Sequence, residues 1–289
     1  MALSSSIHRA ARAMGLALIL LCLSAGLCAA AFKAGWLGRP WCNFERTALN
    51  PGFRSAITPG NLGLVYRRVT IRSGARELDG FFVPASSSCT KRTAVIIFHG
   101  RGETIADWGQ AQRRFHDACI SSLAFDYSGH GRSTGEGTIA NLNADGIAAY
   151  AAFVKLTPYS RRCLFSHSLG GGPMLWAATT VAPRPDCIVI SSPFSSLVSM
   201  AERGGLPPLI GALMPSAWDN VARVSSVHSP LLWIHSGSDQ TIPIEEGRRV
   251  FEAAPNPKRA LVLGGYDHNA VYKELPDRLW LPMLAFISQ

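Results

Sequence analysis

The stretch FSHSLGGGP, residues 165–173, surrounds Ser168 with almost only small residues and follows a short apolar run. Such a stretch is typical of a strand that turns sharply into a helix, because small side chains let the two backbones approach closely. The usual pattern at this turn is G-x-S-x-G, and here Ser166 replaces the first glycine. We therefore expect Ser168 at the bend, with its hydroxyl exposed at the end of a strand.

Six short apolar runs occur in the chain beyond its first 90 residues. They cover residues 94–100, 121–127, 162–168, 187–192, 231–237 and 260–265. Runs of this kind are typical of strands buried on both faces of a sheet. Helix-length stretches separate most of them, at 105–118, 139–157, 170–182 and 244–253. This alternation predicts an α/β fold with a mainly parallel sheet and helices on both faces.

A different pattern precedes these runs. LVYRRVTIRS, residues 64–73, alternates apolar and polar residues, and ELDGFFVPA, residues 77–85, follows after Gly74. The pair predicts an antiparallel hairpin, which brings the sheet to eight strands. With 289 residues, 47% of them hydrophobic, the chain can bury a large core. We expect one catalytic domain over residues 63–289, preceded by a connector at 33–62.

The N-terminus carries a membrane-targeting pattern. Residues 13–32 include no charged side chain and follow Arg9 and Arg12, and a helix of this length spans about 30 Å of hydrocarbon. Residues 1–32 are therefore predicted to be a signal peptide or an N-terminal membrane anchor. The alanines at 29–31 suit cleavage, whereas Trp36 and Trp41 suit a retained anchor at the membrane interface. We expect export of the catalytic domain.

Composition bears on partners and cofactors. The net charge is +9, but the basic residues are scattered, often in pairs, and form no nucleic-acid motif. GHGRSTG, residues 129–135, lacks the third glycine of a dinucleotide loop, and no His/Cys/Asp cluster has metal-ligand spacing. We expect no nucleic-acid partner, no metal and no cofactor.

Seven cysteines form no C-x-x-C pair. Cys119, Cys163 and Cys187 lie in or next to strand-like runs, where we expect small core residues rather than bridges. Cys42 and Cys89 are then the plausible disulfide pair.

Polar residues follow the later strands at the edge where ligands collect in open α/β sheets. Asp239 lies in a turn after the run 231–237, and His268 follows the run 260–265. A serine nucleophile needs a base, and the base needs an acid that holds its tautomer. We predict Ser168 as nucleophile, His268 as base and Asp239 as the acid, with Asp267 as a weaker rival for the last role.

The negative oxygen of a tetrahedral intermediate needs hydrogen-bond donors. Leu169 follows the nucleophile at a helix N-terminus, and Arg101 follows His99-Gly100 on the loop after the first of the six apolar runs. We predict that the backbone N–H groups of Arg101 and Leu169 form the oxyanion hole.

Six motifs together carry a family resemblance. They are IIFHGRGE (96–103), DYSGHGRSTGEGT (126–138), SHSLGGG (166–172), SPFSSL (192–197), IHSGSDQTIP (234–243) and YDHN (266–269). In this order they resemble the alpha/beta-hydrolase superfamily over roughly residues 63–288. The resemblance is to its short-lid branch, with membrane-anchored acyl-ester and acyl-thioester hydrolases and a serine-aminopeptidase-like group. It implies that fold and the same three roles for Ser168, Asp239 and His268.

A short insertion at residues 193–229 is predicted to form a small helical cap. Leu206, Leu209 and Leu213 repeat there at helical spacing, and Pro207 and Pro208 suit a helix start. This apolar stripe could bind an acyl chain, although such stripes more often serve for packing.

The sequence thus predicts a serine hydrolase that cleaves carboxylic esters or thioesters of small or lipid-like acyl substrates. An aminopeptidase-like serine peptidase remains an alternative, and it needs an acid for the substrate amine, for which Glu103 is the candidate that stands out. A non-catalytic binding protein with the hydrolase fold is the third reading.

Overall fold

The computed structural model describes Glu45, Leu49 and residues 51–90, 92–158, 160–208 and 218–289. The predicted N-terminal segment 1–32, Cys42, Leu209 and Leu213 lie outside these residues. Within them, none of the helices has both the length and the apolar character needed to span a bilayer.

The core of the molecule is an eight-stranded sheet. Its strands are β1 (Arg67–Ser73), β2 (Arg76–Val83), β3 (Thr93–Phe98), β4 (Ile120–Phe125), β5 (Arg161–His167), β6 (Cys187–Ser191), β7 (Leu231–Ser236) and β8 (Lys258–Leu263). The spatial order is β1-β2-β4-β3-β5-β6-β7-β8. The hairpin β1–β2 is antiparallel and joins β4 in antiparallel register, and all later pairs are parallel. The predicted fold class is confirmed.

Helices cover both faces of this sheet. They are α1 (Gly109–Asp117), α2 (Ile139–Leu156), α3 (Gly171–Ala178), α4 (Leu197–Arg203), α5 (Asn220–Val224), α6 (Ile244–Ala253), α7 (Ala270–Lys273) and α8 (Asp277–Ile287). One apolar core packs α2, α3, α5 and α6 on the sheet, and the other packs α1, α7 and α8 on the opposite face. The sheet is therefore the middle of three layers.

The burial of the strands follows their position. Every residue of β3 and β6 is buried, as continuous apolar runs predict. The prediction that the last run is buried on both faces was wrong. Among the described strands β8 pairs only with β7, so it lies at the edge of the sheet. Half of its residues are exposed and the other half are only partly buried.

Two disulfides contradict the expectation for the cysteines. Cys89 pairs with Cys119, and Cys163 pairs with Cys187. Cys163 and Cys187 are register partners on β5 and β6, so their α-carbons lie 4.6 Å apart. Cys119 ends the turn before β4, where it meets the loop that follows β2. Neither pair could be predicted from the sequence, because each depends on which strands become neighbours.

Part of the predicted connector packs on the catalytic domain. The N–H of Gly131 donates to the carbonyl oxygen of Gly52 over 3.0 Å. A β-carbon at Gly52 would collide with the carbonyl of Glu103. Residues near 52 therefore lie against the loops at the C-terminal edge of the sheet.

Candidate active site

Ser168 occupies a sharp turn at the end of β5. Its φ is 52°, in the left-handed region that few residues other than glycine adopt, and a 3-10 turn over Ser168–Gly170 leads from it into α3. A β-carbon on Gly170 would collide with the carbonyl oxygens of Phe98 and His99 at the end of β3. The small residues predicted to let strand and helix approach therefore do so, with glycine required at position 170.

The hydroxyl of Ser168 is less exposed than the sequence predicts. The residue is 8% exposed, and its side chain makes no hydrogen bond to any residue in the described part of the chain. Ser166, two residues earlier, is fully buried, and its hydroxyl is also without a hydrogen bond among those residues. Ser168 is thus largely buried rather than on open surface.

Asp239 and His268 form a direct polar contact at the C-terminal end of the sheet. The carboxylate oxygen Oδ2 of Asp239 lies 2.6 Å from Nδ1 of His268. The other oxygen accepts hydrogen bonds from the N–H groups of Thr241 and Ile242, at 2.9 and 2.8 Å. Both oxygens are therefore bound, which fixes the carboxylate in the turn that follows β7.

The electrostatics of Asp239 follow from these contacts. Burial raises the pKa of its carboxyl, but hydrogen bonds from His268, Ile242 and Ser192 more than offset that effect, so the pKa is lowered. The rival Asp267 accepts the backbone N–H of His268 at 2.7 Å and does not bond to the imidazole. Of the two aspartates, Asp239 is therefore the one that contacts the ring of His268, and its role as the catalytic acid stays a prediction.

His268 lies against the turn that carries Ser168. Its ring centroid is 4.7 Å from that of His167, the residue immediately before Ser168. His167 is fully buried, and burial followed by the nearby His268 lowers its pKa well below the ordinary value, which keeps it neutral. The structure therefore brings the predicted serine, acid and base to one end of the sheet.

The two predicted oxyanion donors lie on adjacent segments. Leu169 is the second residue of the turn after β5, and Gly170 beside it packs on the carbonyl of His99. Arg101 stands two residues beyond His99 on the loop after β3. The Gly100 carbonyl lies 3.0 Å from Nδ1 of His99. The loop that carries Arg101 and the turn that carries Leu169 are thus in direct contact.

Glu103 and Tyr272 are residues of this region whose role the sequence does not reveal. Glu103 is 6% exposed and accepts hydrogen bonds from the N–H of Gly100 at 2.7 Å and from the indole N–H of Trp108 at 3.0 Å. The ring of Tyr272 packs beside it on the rings of Trp108 and His167, with centroids 5.0 and 5.6 Å away. Because the buried carboxyl of Glu103 already accepts hydrogen bonds from within the protein, it is poorly suited to bind a substrate amine. The one sequence signal was the spacing G-x-x-E.

Two other histidines near the site, His130 and His235, are buried in the packing around it. His235 is buried, with Nε2 2.9 Å from the carbonyl oxygen of Ile242. His130 is buried against the rings of His99 and Tyr127. Among the described residues, no three His, Cys, Asp or Glu side chains are arranged to hold a metal ion.

The cap is described only at its two ends. Leu206 is partly buried just beyond α4, while Leu209 and Leu213 lie outside the described residues. Ser195 and Ser199 fasten the start of the cap by hydrogen bonds to the buried Glu246 on α6. Trp218 fastens its end, because its indole N–H donates to Asn143 over 2.8 Å. The acyl-binding role of the three leucines stays a prediction.

Comparison with known proteins agrees with this fold. The model of a family described as serine aminopeptidase, S33, matches residues 90–216. An uncharacterized protein of Mycobacterium tuberculosis is 30% identical over 219 residues, 74% of this chain and 75% of that protein. The human alpha/beta hydrolase domain-containing protein 17B is 30% identical over 171 residues, 58% of this chain and 56% of that protein.

Solved structures share the same architecture. An esterase of Pyrococcus furiosus superposes with a TM-score of 0.66 at 20% identity, over 83% of this chain and 97% of that one. The fold and the family similarity together define a member of the hydrolases built on a mainly parallel sheet. The chain belongs to the alpha/beta-hydrolase superfamily.

Proposed function

We propose that this chain is a serine hydrolase that cleaves carboxylic ester or thioester bonds through an acyl-enzyme. The hydrogen bond of 2.6 Å between Asp239 and His268, beside a serine in left-handed conformation at the end of β5, carries the proposal. This combination is what a weak alcohol nucleophile needs. Membership of a hydrolase superfamily supports turnover over a purely binding role.

The proposed reaction uses each group once in each half. The oxygen of Ser168 attacks the carbonyl carbon, and its proton moves to Nε2 of His268. Asp239 accepts the hydrogen bond from Nδ1–H and stabilises the imidazolium that forms. The carbon–oxygen or carbon–sulfur bond then breaks, and the same proton goes to the leaving alkoxide or thiolate. Water repeats the sequence on the acyl-serine and releases the acid.

The negative oxygen of each tetrahedral intermediate is proposed to bind the N–H groups of Arg101 and Leu169. One such donor is worth about 3 to 4 kcal/mol of transition-state stabilisation. The contact between the loop after β3 and the turn after β5 supports a joint role. The Arg101 side chain is not required for it.

Aminopeptidase-like cleavage is the second candidate function, favoured by the description of the matching family model. It needs an acid that receives the substrate amine, and the occupied carboxyl of Glu103 argues against the one residue that the sequence offered. Hydrolysis of p-nitrophenyl and acyl-thioester substrates, compared with aminoacyl p-nitroanilides, separates the two. The proposal expects esters or thioesters to be cleaved at least about tenfold faster. Faster anilide cleavage would establish the peptidase.

A membrane-associated, exported location is also part of the proposal. Residues 1–32 would target or anchor the chain, and apolar acyl substrates near a membrane would reach the site beneath the cap. The two disulfides support export, because such bonds persist in oxidising compartments. Protease protection of the full chain in intact cells tests this location.

A further inference from the structure

We infer that Glu103 is a positioning residue that holds the Gly100–Arg101 peptide in the orientation needed to bind the oxyanion. The inference rests on the proposed function and adds a residue to its machinery. Glu103 touches no reacting atom in this account, and it acts through the backbone of the loop after β3.

Two hydrogen bonds fix the peptide groups on either side of Gly100. The N–H of Gly100 donates to Oε2 of Glu103 over 2.7 Å. The carbonyl of Gly100 lies 3.0 Å from Nδ1 of His99, and since a carbonyl only accepts, Nδ1 must carry the proton. In a trans peptide, the C=O and the following N–H point in opposite directions. Holding the Gly100 carbonyl on His99 therefore aims the Arg101 N–H away from His99.

The sequence HGRGE, residues 99–103, favours a tight turn that brings Glu103 back to Gly100. Gly102 has a φ of 72°, which turns the chain so that Glu103 returns to the N–H three residues before its own. A β-carbon at Gly100 would collide with the carboxylate of Glu103. Both glycines are thus required by the approach of this one side chain.

Glu103 also contacts the segments that carry the nucleophile and follow the base. Its Oε1 lies 3.6 Å from Nε2 of His167, which precedes Ser168. The indole N–H of Trp108 donates to Oε2, and the ring of Trp108 packs on that of Tyr272, on the helix α7 that follows His268, with ring centroids 5.0 Å apart. Glu103 therefore links, directly or through Trp108, the three segments whose relative placement sets the geometry of the transition state. A misplacement of about 1 Å in such a site costs about 100-fold in rate.

The function assigned here needs an acceptor oxygen rather than a charge. Burial raises the pKa of Glu103 to about 8, so the neutral carboxyl is favoured at neutral pH. The ionisable groups around it are Asp107, His167, Tyr127 and Tyr272. Glutamine keeps both the length and the acceptor, whereas aspartate keeps the acid but is one methylene too short to reach Gly100.

The test compares Glu103→Gln, Glu103→Asp and Glu103→Leu in the full chain, using p-nitrophenyl acetate and a trifluoromethyl ketone. We expect the kcat of Glu103→Gln to stay within about threefold of the wild-type value. We expect Glu103→Asp and Glu103→Leu to lower kcat by about 10-fold to 100-fold and to leave KM nearly unchanged. Inhibition by the ketone should weaken by a similar factor. Equal kcat in wild type and Leu, or Asp more active than Gln, would overturn the inference.

Glu246→Leu is the matched control. Glu246 is also a buried glutamate that accepts a backbone N–H, from Ser195 at 3.0 Å, but it fastens the cap and not the oxyanion loop. We expect it to lower the melting temperature and to leave the ratio of ketone affinity to KM unchanged. If Glu103→Leu does not fold, the comparison of kcat between Glu103→Gln and Glu103→Asp tests the inference. A wild type without turnover overturns the proposed function itself, and an active wild type with an equally active Leu variant overturns only the role of Glu103.

Discussion

Asp239 and His268 are 29 positions apart in the sequence, yet the carboxylate of the first lies 2.6 Å from the imidazole of the second. The adjacent Asp267 reaches only the backbone N–H of His268. Two neighbouring acids thus have separate tasks, because one lies in the turn after β7 and the other on the loop of His268 itself.

Replacing Asp239 by asparagine should nearly abolish turnover. An amide at this position favours the wrong tautomer of His268, and in a comparable triad that change lowers kcat by about 10⁴. Steady-state hydrolysis of p-nitrophenyl acetate measures it. Asp267→Asn is the matched control, since its amide oxygen can still accept the same N–H, and we expect it to stay within about threefold of wild type. A larger loss of kcat in Asp267→Asn than in Asp239→Asn would show that Asp267 is the catalytic acid.

Alanine at position 170 should disrupt the turn that carries Ser168. The added β-carbon collides with backbone carbonyls of Phe98 and His99, which cannot move as a side-chain tip can. We expect a loss of about 1 to 3 kcal/mol in the free energy of unfolding and a larger proportional loss of kcat. Urea denaturation and steady-state kinetics measure the two. Alanine at Gly74 is the comparison for strain without a collision, because nothing lies near its β-carbon although its φ is 60°.

The buried carboxyl of Glu103 should make stability depend on pH. Its pKa is raised from 4.5 to about 8, so the folded state binds a proton that the unfolded state releases. Its contribution is therefore fully present below pH 4.5 and is lost as the pH rises toward 8. Relative to wild type, Glu103→Gln should gain on the order of a few kcal/mol between pH 5 and pH 8. Melting temperatures of both proteins across this range test it, and a constant difference would contradict the assigned pKa.

The disulfide between β5 and β6 should stabilise the domain that carries Ser168. It closes a loop of 24 residues, for which the chain-entropy model gives about 3 kcal/mol. The double variant Cys163→Ala, Cys187→Ala should therefore melt several degrees lower. Cys89→Ala with Cys119→Ala provides a matched pair of similar loop length. Unchanged melting in the first variant would show that the bond contributes nothing.

Local chemistry explains which features the sequence could predict. Apolar runs identified the strands, and the residue at the end of each run identified Ser168, Asp239 and His268 as neighbours, because parallel strands end at one edge. The rest depends on packing between distant segments. The pairing of Cys163 with Cys187 needs the order of the strands, and the exposure of β8 needs its place at the edge. The sequence offered Glu103 only as a candidate acid for a substrate amine, because nothing in the sequence says that its turn folds back on Gly100.

Covalent trapping of the nucleophile tests the central claim most directly. The full chain is treated with a fluorophosphonate and digested, and the modified peptide is identified by mass spectrometry. We predict one adduct, on Ser168, which disappears in Ser168→Ala and persists in Ser166→Ala, the buried serine two residues away. An adduct on another residue, or no adduct on the folded wild-type protein, would contradict the account.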